Sequence, residues 1–200
     1  MKFHFNILDL LSSRTRVKII KFMLAHEAPM SEREIASILE ISHMSVNRTM
    51  RELLEYNLVN FTTAGRAHLW RVNKKSYAFK ALSELFRCTE KISGPLDDLK
   101  KTIRANLRGT PAKRAVLFGS IAAGLEKTDS DIDLFIQVKD AAARKKLEQT
   151  ADKLSTLCLE KYGNVLSSYI LTDREIDNKK DLNIISEINK GNEIYRKKQS

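Results

Sequence analysis

"FGSIAAGLEKTDSDIDLFI", residues 118–136, decides how the second half of this chain is read. Ala115 to Phe118 is an apolar run suited to a buried strand, and it runs into Gly119 and Ser120 at a strand-to-helix turn. At such a turn free backbone N–H groups and a hydroxyl are available to phosphate oxygens, and glycine lets the backbone come close. Asp131 and Asp133 are separated by one residue in the strand that follows. Their carboxylates therefore share a face, while Ile132 and Leu134 turn to the core. Two acids on one face repel each other and are costly without a cation. Mg²⁺ meets that need, because it takes carboxylate oxygens together with substrate phosphates in octahedral geometry.

Gly-Ser, a spacer of about ten residues and an Asp-x-Asp between apolar positions resembles the signature of the polymerase beta nucleotidyltransferase superfamily, which includes kanamycin nucleotidyltransferase and the minimal nucleotidyltransferases paired with toxin partners. The resemblance implies an α+β domain over 96–200, a mixed sheet with helices on one side. It also implies Asp131 and Asp133 as catalytic, metal-holding carboxylates, and Gly119 and Ser120 as the pair that binds the cofactor, a nucleoside triphosphate such as ATP with Mg²⁺. Downstream, Ala141 to Tyr162 reads as a long helix ended by Gly163, Val165 to Leu171 as a strand, and Leu182 to Lys190 as a helix ended by Gly191. "GNEIYR", 191–196, closes as a short edge strand.

Active members of that superfamily place a third carboxylate on a later strand, where it completes the metal site and helps deprotonate the attacking hydroxyl. Here the strand reads "NVLSSYILT", 164–172. The position falls on Ser167 or Ser168, with Ser168 preferred because Tyr169 and Ile170 then take the apolar places. Neither serine is a carboxylate base. Asp173 and Glu175 follow the strand but are poor substitutes, since catalysis demands placement within about 0.5 Å. Ile121 and Ala123 stand where family members often carry arginine. The sequence therefore leaves open whether the domain is an enzyme, while nucleotide binding is the expectation.

The first half carries a different pattern. Val17, Ile20, Met23 and Leu24 form the apolar stripe of a helix from Ser12 to Ala25, and Pro29 breaks it. Ser31 with Glu34 makes a capping box for a short helix burying Ile35, Ile38 and Leu39, and Ser42 caps a second helix after a turn at Glu40 and Ile41. Leu58 to Thr62 and Leu69 to Val72 then read as a hairpin with Gly65 and Arg66 at its tip. This order, and "SEREIASILEISHMSVNRTMRELLEYNLV" (31–59) in particular, resembles the winged helix-turn-helix transcription regulators of bacteria and archaea. By that resemblance the Ser42 helix enters the major groove of double-stranded DNA. It offers Ser42, His43, Ser45, Asn47, Arg48 and Arg51, while Arg66 reaches the minor groove or backbone from the wing. Trp70 and Phe61 are expected to pack the wing onto the helices rather than stack on bases.

The segments are thus a winged helix at 1–75, a helical connector at 76–95 with a Phe79, Leu82, Leu85, Phe86 stripe, and the nucleotidyltransferase-like domain at 96–200. A net charge of +10 over 200 residues favours polyanionic partners. From Tyr56 to Ser83 the only charged side chains are Arg66, Arg71, Lys74, Lys75 and Lys80. No apolar run suits a membrane span, no signal peptide is visible, and a cytoplasmic location is expected. Cys88 and Cys158 read as packed, reduced thiols, and the four scattered histidines as surface or cap residues. The expected partners are DNA, a nucleotide and a second copy of the chain. Three functions fit: a DNA-binding regulator with a Mg-nucleotide-binding domain, a transferase of nucleoside monophosphate to a small molecule, protein or nucleic acid, and a degenerate fold kept for dimerisation.

Overall fold

The computed structural model describes residues 3–178 and 183–197. Leu182, expected to begin the last helix, lies outside the described residues, as do the ends of the two outer segments. The chain divides into two compact units, Met1–Ile92 and Ser93–Ser200.

In the first unit a 3₁₀ turn (Ile7–Leu11) precedes α1 (Arg14–Ala25), β1 (Met30–Ser31), α2 (Glu32–Leu39) and α3 (His43–Glu55). Then follow β2 (Val59–Ala64), β3 (Ala67–Val72) and α4 (Tyr77–Glu90). Each helix starts where a serine can cap it: the hydroxyls of Ser13, Ser31, Ser42 and Ser76 accept from the backbone N–H groups of Arg16, Glu34, Ser45 and Phe79. Glu40, in the left-handed region at φ 52°, ends α2 and makes the sharp turn into α3. The Lys18 ammonium donates to the Leu39 carbonyl at 2.7 Å and covers the helix end. Strand order β1-β3-β2 is antiparallel throughout, with Phe61 opposite Trp70. Three helices, a helix-turn-helix step and a two-stranded hairpin make a winged helix.

Its core joins Ile19, Ile20 and Met23 of α1 to Ile35 of α2, Val46, Met50 and Leu53 of α3, and Trp70 of the wing. Ala78 and Leu82 of α4 are fully buried in the same core. Three expectations are corrected. Phe61 is exposed and packs on His68 and Trp70 within the hairpin, while of the two aromatic residues Trp70 alone is buried against the helices. Ile38 is exposed, because Ile35 and Leu39 fill the seam and a helix turns Ile38 roughly 60° away from Ile35. Cys88 is exposed too, since α4 buries only Ala78 and Leu82 fully. Cys158 is buried as expected, and burial pushes its thiol up to about 11.

The second unit runs α5 (Pro95–Leu107), β4 (Arg114–Phe118), α6 (Gly119–Ala123), β5 (Ile132–Val138), α7 (Ala141–Tyr162), β6 (Leu166–Thr172), α8 (Asp173–Asn178), α9 (Asn183–Lys190) and β7 (Asn192–Arg196). Sheet order is β6-β5-β4-β7, with β5 and β6 parallel and the other pairs antiparallel. This is the mixed sheet of an α+β fold. One face, through Ile132, Leu134, Ile136 and Val138, packs on Leu99 and Ile103 of α5 and Leu147, Leu154 and Cys158 of α7. The other, through Val116, Phe118, Phe135 and Leu171, packs on Ile185 and Ile188 of α9. Helices therefore cover both faces rather than one, because the alternating residues of β4 to β6 are apolar on both sides.

Candidate functional site

Phe118, at the end of β4, lies opposite Asp133 of β5. The chain then turns at Gly119, whose φ is +73°. A Cβ built there would stand 2.1 Å from Asp133 Oδ2, so the carboxylate occupies the space that every other residue type would fill. Glycine is favoured by the backbone conformation, and any side chain here would also displace the Asp133 carboxylate. No side chain caps the first turn of α6, which begins at Gly119 and Ser120.

The alternation of β5 holds as read: Ile132 and Leu134 are buried, Asp133 is half-buried and Asp131 is exposed just ahead of the strand. Burial, then the charge of Asp131, then that of Glu187 on α9 raise the Asp133 pKa above the ordinary carboxylate range. Among the described residues, the charges that shift Asp133, those of Asp131 and Glu187, are both negative. Glu187 lies far from the motif and no sequence signal pointed to it.

Ser167 pairs with Asp133 in the parallel β5–β6 register, and its hydroxyl lies 3.4 Å from Asp131 Oδ2. Ser168 instead pairs with Leu134. Register thus moves the place of the missing acid from Ser168 to Ser167, because paired residues of adjacent strands share a face. Asp173 and Glu175 are engaged elsewhere. Asp173 accepts from Lys113 Nζ at 2.6 Å and Gln137 Nε2 at 2.8 Å. Glu175 accepts from the backbone and hydroxyl of Thr172 and pairs with Arg144, and these bonds, Thr172's first, bring its pKa down to about 2.

Whether these residues suit Mg²⁺ follows from the donor set. Asp131 and Asp133 supply hard oxygens, and burial with the charges of Asp131 and Glu187 disfavours the charged form of Asp133, which a bound cation would offset. Among the described residues, no group of three or more His, Cys, Asp or Glu is placed to hold a metal ion. Two carboxylates fit an ion whose other ligands are water and phosphate, and do not make an all-protein cage.

In the first unit the outer side of α3 carries His43, Met44, Asn47, Arg48 and Arg51, with Arg48 83% and Met44 81% exposed. The Ser42 hydroxyl caps the helix by accepting from the Ser45 N–H at 3.2 Å, and the Ser45 hydroxyl lies 2.8 Å from it. Arg48 Nε donates to Glu52 at 3.4 Å. Arg66 follows Gly65, φ +59°, at the wing tip. Between α3 and the wing is a cleft of about 550 Å³ lined by Arg33, His43, Asn47, Arg51, Arg66 and His68, with Glu32 at its wall. Sequence reasoning missed two residues here. Met44 sits on the same outer stripe as Asn47 and Arg48, so helical spacing could have found it. Glu32 was hidden, because its partners come from α3 and from β3, 38 residues away.

The model of the family described as "Polymerase beta, Nucleotidyltransferase" matches residues 99–200. The chain belongs to the polymerase beta nucleotidyltransferase family. Its nucleotidyltransferase domain is the second unit, and Gly119, Ser120, Asp131 and Asp133 all lie in the matched span. No curated protein matches the chain. Among solved structures, the chain is similar to the antimony-specific transcriptional repressor AntR, at 15% identity and TM-score 0.36 over 42% of this chain and 74% of that one. NolR from Sinorhizobium fredii is similar at 16% identity and TM-score 0.35, over 40% and 78%. MepR from S. aureus, in a DNA complex, is similar at 16% identity and TM-score 0.37, over 50% and 80%. The element order and strand register of the first unit are those of a winged helix. Among the described residues, no helix is long and apolar enough to cross a membrane.

Proposed function

We propose that this chain is a DNA-binding transcription regulator whose nucleotidyltransferase domain takes up a Mg-nucleotide, ATP first, and turns it over slowly or not at all. One observation carries the reading: Asp133 is held against Gly119 beside Asp131, two acids on one site, while Ser167 stands where the neighbouring strand would present a third acid. Asp131 and Asp133 would hold the ion together with the nucleotide's own phosphates, and by the family resemblance Gly119 and Ser120 receive triphosphate oxygens. A bound divalent cation neutralises phosphate charge and polarises the phosphoryl group. Ser167 has no charge to draw a proton from an attacking hydroxyl. Losing a general base typically costs about 10² to 10⁴ in rate.

The winged helix is the part that reads double-stranded DNA, through His43, Asn47, Arg48 and Arg51 on the outer side of α3 and Arg66 on the wing. Ser42 and Ser45 shape the start of that helix and approach the backbone. The protein acts in the cytoplasm as a homodimer on paired half-sites, the usual arrangement for such domains. The transferase alternative is favoured by the intact pair of acids. It separates from the regulator reading by one substitution: Ser167→Asp should raise nucleotide transfer or hydrolysis at least tenfold from a trace. Wild-type turnover above that of the variant would show that the domain is an enzyme as it stands.

A further inference from the structure

Glu32 is the first residue of α2, and its side chain is only 12% exposed. Trp70 Nε1 donates to its Oε1 at 3.1 Å, and Asn47 Nδ2 donates to its Oε2 at 2.9 Å. His43 Nε2 lies 3.4 Å from Oε2. One carboxylate thereby joins three elements: α2, the outer side of α3 and strand β3 of the wing. It does so on the wall of a cleft to which Arg33, Arg51 and Arg66 contribute positive charge.

That placement is unexpected on electrostatic grounds. A carboxylate beside a phosphate backbone opposes binding, and neutralising phosphates by cations dominates affinity for any duplex. A residue kept there for charge alone would be a lysine or a neutral side chain. What Glu32 supplies is geometry. Phosphate contacts do not read sequence, whereas base contacts do, and a base contact needs its donor held in a fixed place. Asn47 and His43 are the short polar side chains of α3 that reach this cleft, and both are tied to Glu32. Trp70 ties the wing to the same atom pair, so the recognition helix and the wing are set against each other through one group.

We infer that Glu32 is a positioning residue for sequence discrimination: it orients Asn47, His43 and the Trp70 strand for base reading while weakening attraction to DNA in general. The inference rests on the proposed reading of the first unit as the DNA-binding part. Its distinctive consequence is a pair of opposite effects. Removing the charge should tighten binding to an arbitrary duplex and loosen binding to the preferred one.

The test uses the full chain. A duplex is first selected from a randomised pool with the wild-type protein, and its affinity is then compared with that of a scrambled duplex for wild type and Glu32→Gln. The expected result is a few-fold tighter binding of the scrambled duplex, a roughly tenfold or greater loss on the selected one, and a collapse of their ratio. Equal tightening on both duplexes, with the ratio kept, would overturn the inference and make Glu32 merely an unfavourable charge. If Glu32→Gln does not fold, Trp70→Phe decides, because it removes one donor to Glu32 and changes no charge. A lower ratio supports positioning, and an unchanged one overturns it. Should the wild-type chain enrich no duplex, the DNA-binding reading fails, and this inference fails with it.

Discussion

Gly119 concentrates most of the chemistry into one backbone position. Its φ of +73° and the 2.1 Å that would separate Asp133 Oδ2 from a Cβ at this position mean that any side chain displaces the carboxylate. Gly119→Ala is expected to lower stability by roughly 1–3 kcal/mol, the range for a strained non-glycine backbone, and to abolish metal-dependent nucleotide binding. Thermal melting and titration of the same variant check both halves. Retained binding would mean that Asp133 does not need its seat. Glu175 offers a second residue-scale test. Its carboxylate is held at about 2, against an ordinary 4.5, by Thr172 first and then Arg144. A depressed acid contributes stability above its unfolded value and loses it as pH falls. Glu175→Ala should therefore destabilise the domain at neutral pH, and the difference from wild type should shrink between pH 4.5 and pH 2. A constant difference through that window would show that the Thr172 and Arg144 bonds contribute nothing.

At the scale of elements, α4 decides where the first unit ends. Its Ala78 and Leu82 lie at zero exposure in the winged-helix core, with Phe79 and Phe86 packed beside them. Removing a buried leucine alone costs about 2–5 kcal/mol, a large share of a small domain's stability. A fragment of residues 1–92 should melt cooperatively, whereas 1–75 should not; cooperative melting of the shorter fragment at the same temperature would contradict that packing. The elements themselves were largely legible in the sequence, because serine caps, the apolar spacing of α1 to α3 and the turn at Gly65 are local signals. Gly119, Ser120, Asp131 and Asp133 were legible for the same reason: their relation is fixed by a turn and by strand alternation. What could not be read was set by pairing between distant segments. Ser167 rather than Ser168 follows from the β5–β6 register, Glu187 from the packing of α9 on the sheet, and Glu32 from a bond to a strand 38 residues away. The stripe in α4 was visible, but its occupant was not, since an apolar stripe does not name the surface it meets.

For the molecule as a whole, a winged helix and a nucleotidyltransferase domain share one basic chain, with a net charge of +10. In the proposed function the second domain keeps two acids on a glycine turn as a working metal-nucleotide site that lacks a third acid, and not as a relic of the fold. Folds outlive their chemistry, so family membership alone does not decide between the two. Calorimetric titration of ATP into the full chain with and without Mg²⁺, beside an Asp131→Asn, Asp133→Asn double variant, does decide. Binding that requires Mg²⁺ and is lost in the variant, which stays folded, is the expected result. Absence of nucleotide binding to the intact chain, or binding equally strong in the folded variant, would contradict it.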